Sequence, residues 1–101
     1  MKYGIVHQFA GGTEAQYKAL IAAVHPADGS LPAGQLLHMA GPSQDIMGPA
    51  HAGWTIIAVH ESRESWETFR NEVVTPAMQA GIEGGFTELP EETEFEVQVE
   101  G

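Results

Sequence analysis

The chain has 101 residues, 14 of them acidic and four basic, a formal charge of −10, and no cysteine. A length of this order supports one core, so a single domain spanning residues 1–101 is expected. Disulfides, thiolate metal sites and cysteine nucleophiles are excluded by composition. So acidic a surface, with no Lys/Arg cluster to offset it, repels phosphate backbones, so neither nucleic acid nor an anionic membrane is expected as a partner. No apolar run approaches the ~20 residues of a membrane span. A cytoplasmic location without a signal peptide is the corresponding expectation.

In chain order, Met1 to Phe9 alternates as a first strand, with Tyr3, Ile5, His7 and Phe9 on one face and Gly4, Val6 and Gln8 on the other. Gly11-Gly12 breaks it. Thr13 is placed to cap a helix, with Gln16 at the capping-box position. Tyr17, Leu20, Ile21 and Val24 then form an i, i+3, i+4, i+7 stripe that ends at His25-Pro26. Gln35 to Gly41 reads as a short second strand. The segment from Gly41 to Gly53 is irregular and glycine- and proline-rich; it holds Asp45, Met47 and His51, and loops of that length are often functional.

Gly53-Trp54-Thr55-Ile56-Ile57-Ala58-Val59-His60 is the strongest strand in the chain, β-branched and apolar on both pleat faces. Helical spacing follows at once, with Ser62 or Ser65 as cap and Trp66, Phe69, Val73 and Val74 as the buried side. That helix is expected to end near Val74, with a further short one from Pro76 through Met78. The acid–apolar alternation of Glu94 to Glu100 predicts a half-exposed final strand. The order β-α-β-β-α-β is the ferredoxin-like split pattern, an α+β fold with a four-stranded antiparallel sheet whose centre is strands one and three. Helices cover one face of such a sheet. The apolar second face, with Leu37 and Met39, predicts a homodimer packed sheet to sheet.

Several stretches carry a family resemblance: His7 to Tyr17, Val24-His25-Pro26, Leu31 to His38, Gly53-Trp54 and Glu61 to Trp66. On these the chain resembles the dimeric α/β-barrel superfamily, and within it small actinobacterial-type proteins allied to antibiotic-biosynthesis monooxygenases. The resemblance implies a pairing of two ferredoxin-like domains. It is compatible with cofactor-free oxygenases, polyketide cyclases, isomerases and haem-degrading proteins, because one fold hosts many chemistries.

Five histidines offer groups that titrate near neutrality. His7 faces the helix side of its strand, as a base in an apolar pocket or as a satisfied core imidazole. His38, mid-strand among Leu36, Leu37 and Met39, lines the same pocket or is simply buried. Tyr17 projects from the first helix and would orient a substrate oxygen, although packing accounts equally for its ring. These three are the catalytic candidates. Gln8, Trp54, Trp66, His51 and Phe86 are the substrate-binding candidates, the aromatics being equally at home in a core. His25 is assigned to capping its helix, where an imidazolium suits the C-terminus. His60, at the other end of the sheet from His7, is left out.

No Walker loop, HExxH or His-x-x-x-His pair is present, so no metal site is expected. No cofactor is expected either. Haem would need only one histidine, yet its propionates prefer basic partners that four cations scarcely supply. The resulting expectation is a small-molecule enzyme, a cofactor-independent monooxygenase of an aromatic or polyketide-type substrate that deprotonates through His7 or His38. A cyclase or isomerase of the same fold, and a non-catalytic dimeric ligand- or protein-binding module, are the alternatives.

Overall fold

The computed structural model describes residues 1–44 and 52–101. Strand β1 (Tyr3–Ala10) leads through Thr13 into helix α1 (Glu14–Val24). The expected capping box is present: Thr13 Oγ1 accepts from the Gln16 N–H at 3.2 Å and Gln16 Oε1 accepts from the Thr13 N–H at 3.0 Å. Strand β2 (Gln35–Ser43) runs two residues beyond its expected end, and β3 (Gly53–His60) has the expected bounds. The sheet order is β2-β3-β1-β4, with every neighbouring pair antiparallel. Strands one and three are therefore central, as right-handed crossovers require.

The second helical region corrects the sequence reading. Helix α2 (Arg63–Phe69) starts at Ser62, whose Oγ accepts from the Ser65 N–H at 3.0 Å. It does not end near Val74 but continues through a π turn at Arg70–Val74 into helix α3 (Thr75–Ala80). The physical reason is Pro76, which cannot donate a helical hydrogen bond and whose ring crowds the preceding turn. A widened turn absorbs both problems. It also inserts one residue into the helical repeat. Val74 and not Val73 thus continues the buried face begun by Trp66 and Phe69, while Val73 is exposed.

The final strand is a second correction. Strand β4 occupies Glu91–Glu96, not residues 94–100, and pairs Ile5 with Glu94 and His7 with Glu92. Residues opposite one another in a ladder share a face. Glu92 and Glu94 therefore lie on the helix side, and Phe95 lies outside, over Gly4. The register follows from that glycine: a Cβ at position 4 would sit 2.4 Å from the Phe95 ring. The alternation is real but inverted.

The core lies between sheet and helices. Tyr3, Ile5, Val24, Trp66 and Phe69 form one cluster and Phe9, Trp54 and Ile56 another, bridged by Leu20. His60 is wholly buried, with Nδ1 2.9 Å from Ser65 Oγ and Nε2 3.2 Å from the Gln35 amide, and so ties α2 to the sheet. The opposite face carries Val6, Thr55, Ile57 and Val59, half-buried, with Leu37, Met39 and Phe95 exposed. Among the described residues, no helix is long and apolar enough to cross a membrane.

Candidate functional site

A cavity of about 510 Å³ opens between the sheet and the helices. Its floor is Ile5, His7, Phe9, His38, Ile56 and Ala58; α1 contributes Leu20, Ile21 and Val24; the α2–α3 region contributes Trp66, Phe69, Arg70, Val74 and Met78. Arg70 and Val74, one helical turn apart, stand on one wall together. Pro90 and Glu92 close the β4 side. The wall is mostly apolar, with polar groups gathered in two places, the usual composition of a small-molecule site.

The first polar group is His7 with Glu92. Strand alternation turns His7 inward, and the β1–β4 register sets Glu92 directly across from it. His7 Nε2 lies 2.5 Å from Glu92 Oε2, with the two side chains 20% and 38% exposed. Glu94 stands two residues along the same face; its Oε1 accepts from the Tyr3 hydroxyl at 2.8 Å, and Arg70 Nη1 lies 3.7 Å from its Oε2. Sharing a hydrogen bond with Glu94, together with partial burial, raises the Glu92 carboxyl above its ordinary range, and His7 opposes that rise. Glu92 thus engages Nε2 of His7 and leaves Nδ1 as the ring nitrogen without that contact. The His7 ring packs 5.8 Å from Trp66 and 6.3 Å from Phe9, which limits its rotation.

The second group is Tyr17, His38 and His25. The Tyr17 hydroxyl lies 2.6 Å from His38 Nε2, and the His25 ring meets that of His38 edge-on at 4.7 Å. Burial lowers the basicity of His38 and raises the Tyr17 phenol. Burial, with His38 adjoining, pushes His25 down to about 4. All three are neutral at pH 7. His25 is thus corrected from a charged helix cap to a neutral wall residue: its backbone N–H does cap α1, bonding to the Ile21 carbonyl at 2.9 Å, while its ring turns into the cavity.

Of the residues singled out from sequence, the structure brings His7, His38 and Trp66 to the cavity wall, and Tyr17 touches it through His38. Gln8 is placed elsewhere: alternation sends it to the outer face, opposite Thr55 and Glu91. Trp54 packs against Tyr17 at 5.3 Å inside the second core cluster. Phe86 stacks on Phe9 at 3.7 Å, nearly parallel, beside a separate small cavity. His51, with Asp45 and Met47, lies outside the described residues. Sequence reasoning missed Glu92, Arg70 and His25. The last carried a signal, since it ends the stripe that faces the sheet. Among the described residues, no group of three or more His, Asp or Glu side chains is arranged to hold a metal ion.

No family model matches the chain, and no curated protein does. Solved structures do. Rv0793 from Mycobacterium tuberculosis aligns over 99% of this chain and 98% of its own, at 14% identity and a TM-score of 0.66. At that identity the likeness concerns fold alone. A protein of Chloroflexus aurantiacus J-10-fl, provisionally named an antibiotic biosynthesis monooxygenase, aligns over 100% of this chain and 96% of its own, at 29% identity and a TM-score of 0.57. Sheet order and end-to-end alignment give the chain the ferredoxin-like α+β fold of these structures, and at 29% identity it is similar to antibiotic-biosynthesis-monooxygenase-like proteins.

Proposed function

We propose that this protein is a cofactor-independent monooxygenase acting on an electron-rich aromatic or polyketide-type substrate. The observation that carries the reading is the His7–Glu92 contact on the wall of an open, mostly apolar cavity. A filled core between α1 and the sheet would instead favour a binding module; the cavity is open, and both His7 and His38 line it.

In this mechanism His7 Nδ1 takes a proton from an acidic C–H or O–H of the substrate, and Glu92 steadies the imidazolium that forms. General-base help of this kind is worth about 10²–10⁴-fold. The resulting carbanion is the reductant. It passes one electron to dioxygen, the radical pair combines to form a C–O bond, and the peroxide takes up a proton. Loss of water from that hydroperoxide leaves a new carbonyl. One oxygen atom enters the product and the other leaves as water; the electrons come from the substrate. Trp66, Phe9 and Phe69 shelter the carbanion from solvent. Two copies are taken to pack through their outer sheet faces, leaving each cavity on the far side.

The test is aerobic incubation with anthrone- and naphthol-type phenols, following dissolved oxygen and products for the parent and His7→Ala. Oxygen uptake without added cofactor, lost in His7→Ala, is expected. Product formed without oxygen uptake would move the protein to the cyclases and isomerases. If every compound is left unchanged and none binds, the protein is a binding module and not an enzyme.

A further inference from the structure

A second, smaller cavity of about 270 Å³ lies beside the main one, lined by Phe9, Leu20, Met78, Gly81, Ile82 and Phe86. Among the described residues, no polar side chain belongs to that lining. Backbone groups at its rim are paired in turns: the Gly81 N–H bonds to the Met78 carbonyl at 3.2 Å and the Gly85 N–H to the Ile82 carbonyl at 3.0 Å. Water finds few partners in such a space, whereas apolar guests are accepted. Gly81, at φ +87°, ends α3, and Gly84, at φ +76°, turns the chain again beside Ala19 of α1. Those two turns bring Phe86 onto Phe9, where it stacks. Phe86 is fixed there, because its ring occupies the space of a side chain at position 12: a Cβ on Gly12 would lie 2.7 Å from it. Phe9, Leu20 and Met78 also line the main cavity, so the two spaces share a partition. Phe9 is buried and stacked, whereas Met78 is 39% exposed and unbranched. Met78 is the part of the partition that can move.

On the reading of the main cavity as a small-molecule site, we propose that the small cavity is a subsite for an uncharged hydrocarbon branch of the substrate, with Met78 as the side chain that yields to admit it. Size selects this occupant. An apolar cavity of about 150 Å³ already suffices for benzene, so this one holds a short alkyl chain or a ring and is oversized for a diatomic gas. Polarity agrees with it. No side chain of the lining could pair with a hydroxyl, a carbonyl or a charge, and burying such a group unpaired is costly. Position sets the point of attachment. Phe9 stands two residues from His7 on the same face of β1, with ring centroids 6.3 Å apart. A branch that passes Phe9 therefore leaves the aromatic frame close to the His7 end of the main cavity. The substrate class follows: an aromatic or polyketide-type frame whose oxygen functions stay in the main cavity and whose short apolar side chain is directed between Phe9 and Met78. A side chain ending in a carboxylate or hydroxyl does not fit.

Ile82 lines the small cavity and not the main one, so it separates the two in experiment. Binding of naphthol and of its straight-chain alkyl homologues, methyl to hexyl with the chain on the ring away from the hydroxyl, is measured by titration calorimetry without oxygen. In the parent, affinity is expected to rise about fourfold for each carbon buried and to level off once the cavity is full. Ile82→Phe fills the space. It should bind naphthol as the parent does and lose about tenfold or more at the butyl homologue. The place of the chain is read by NMR of the isoleucine-methyl-labelled parent, with the Ile82 signal assigned by its loss in Ile82→Ala. That signal should shift with butylnaphthol and stay with naphthol. Affinity independent of chain length, a rise that survives unchanged in a folded Ile82→Phe, or failure of every naphthol to bind overturns the proposal. If Ile82→Phe does not fold, the Ile82 signal of the parent decides, and one unmoved by butylnaphthol overturns it. Oxygen plays no part in either measurement. A chain-length dependence in a protein that never consumes oxygen keeps this inference and loses the oxygenase reading; oxygen uptake without any chain-length dependence does the reverse.

Discussion

At the scale of single residues, the His7–Glu92 contact makes the sharpest demand. Glu92→Gln preserves shape but replaces an anionic acceptor with a neutral amide, so the imidazolium formed during proton removal loses its counter-charge. On the substrate identified by oxygen uptake, kcat is expected to fall about 10–100-fold with little change in KM, because the interaction matters most once the charge has formed. A Glu92→Gln enzyme with unchanged kcat would show that the contact is only structural. The histidines make a separate demand on stability. His25 is held at about 4 against an ordinary 6.5, and His38 and His60 are lowered as well. A lowered folded-state value means that the unfolded chain takes up the proton first as pH falls. The contribution of His25 is therefore complete above pH ~6.5, declines through the interval down to about 4, and is flat below it. With this ring partly open to solvent, the loss is on the order of 1–2 kcal/mol. Urea unfolding at pH 7.5, 5.5 and 4 should show a decline that is shallower in His25→Phe; equal slopes in the two proteins would refute the assignment.

At the scale of elements, local signals and long-range pairing divide the structure between them. The capping box of α1 and the run Gly53–His60 are local, and both stand in the structure where their residues place them. The sheet order follows from the sequence of elements through crossover handedness. The final strand does not follow locally. The regular alternation of residues 94–100 suits a strand, but Phe95 finds space only over Gly4, and Glu94 finds the Tyr3 hydroxyl. Those two contacts select residues 91–96 and turn the acids inward. Half of the candidate site was lost with that register, since Glu92 reaches His7 only through it. His7 and His38 were legible because strand alternation alone turns them to the helix side. His25 was legible only as the end of the stripe that faces the sheet; nothing local says that it lies over His38. Gly53 offers a test of how tightly the central pair is set. A Cβ there would lie 2.0 Å from the Phe9 carbonyl oxygen and 2.8 Å from the Gly11 nitrogen, both backbone atoms that cannot swing aside. Gly53→Ala is expected to cost about 2–3 kcal/mol by forcing β1 and β3 apart. Chemical denaturation measures it, and a loss below about 0.5 kcal/mol would mean that the strands part more easily than their spacing implies.

At the scale of the whole molecule, the two faces of the sheet have opposite characters. One holds the core and the cavity. The other presents Met39 at 54% and Phe95 at 46% exposure, with Leu37, Ile57 and Val59 between them. Water contact with so continuous an apolar face is unfavourable, and pairing two such faces at the ordinary sheet spacing of about 10 Å removes it. The expectation is a homodimer, read by light scattering as twice the 10.8 kDa chain. The charge of the molecule shapes how that dimer responds to salt. Each chain carries −10, so two copies repel at long range while the contacting faces attract at short range. Raising salt from about 20 to 500 mM shortens the screening length several-fold and should tighten association, the reverse of an interface held by ion pairs. Met39→Glu with Phe95→Glu places buried carboxylates on the face and should leave a monomer at every salt concentration. Because the cavity lies on the other side of the sheet, that monomer should retain the His7–Glu92 contact and its affinity for an aromatic ketone. A parent chain that is monomeric at high concentration and high salt would sink the sheet-to-sheet pairing. A dimer that loosens as salt rises would place the interface on the charged surface instead.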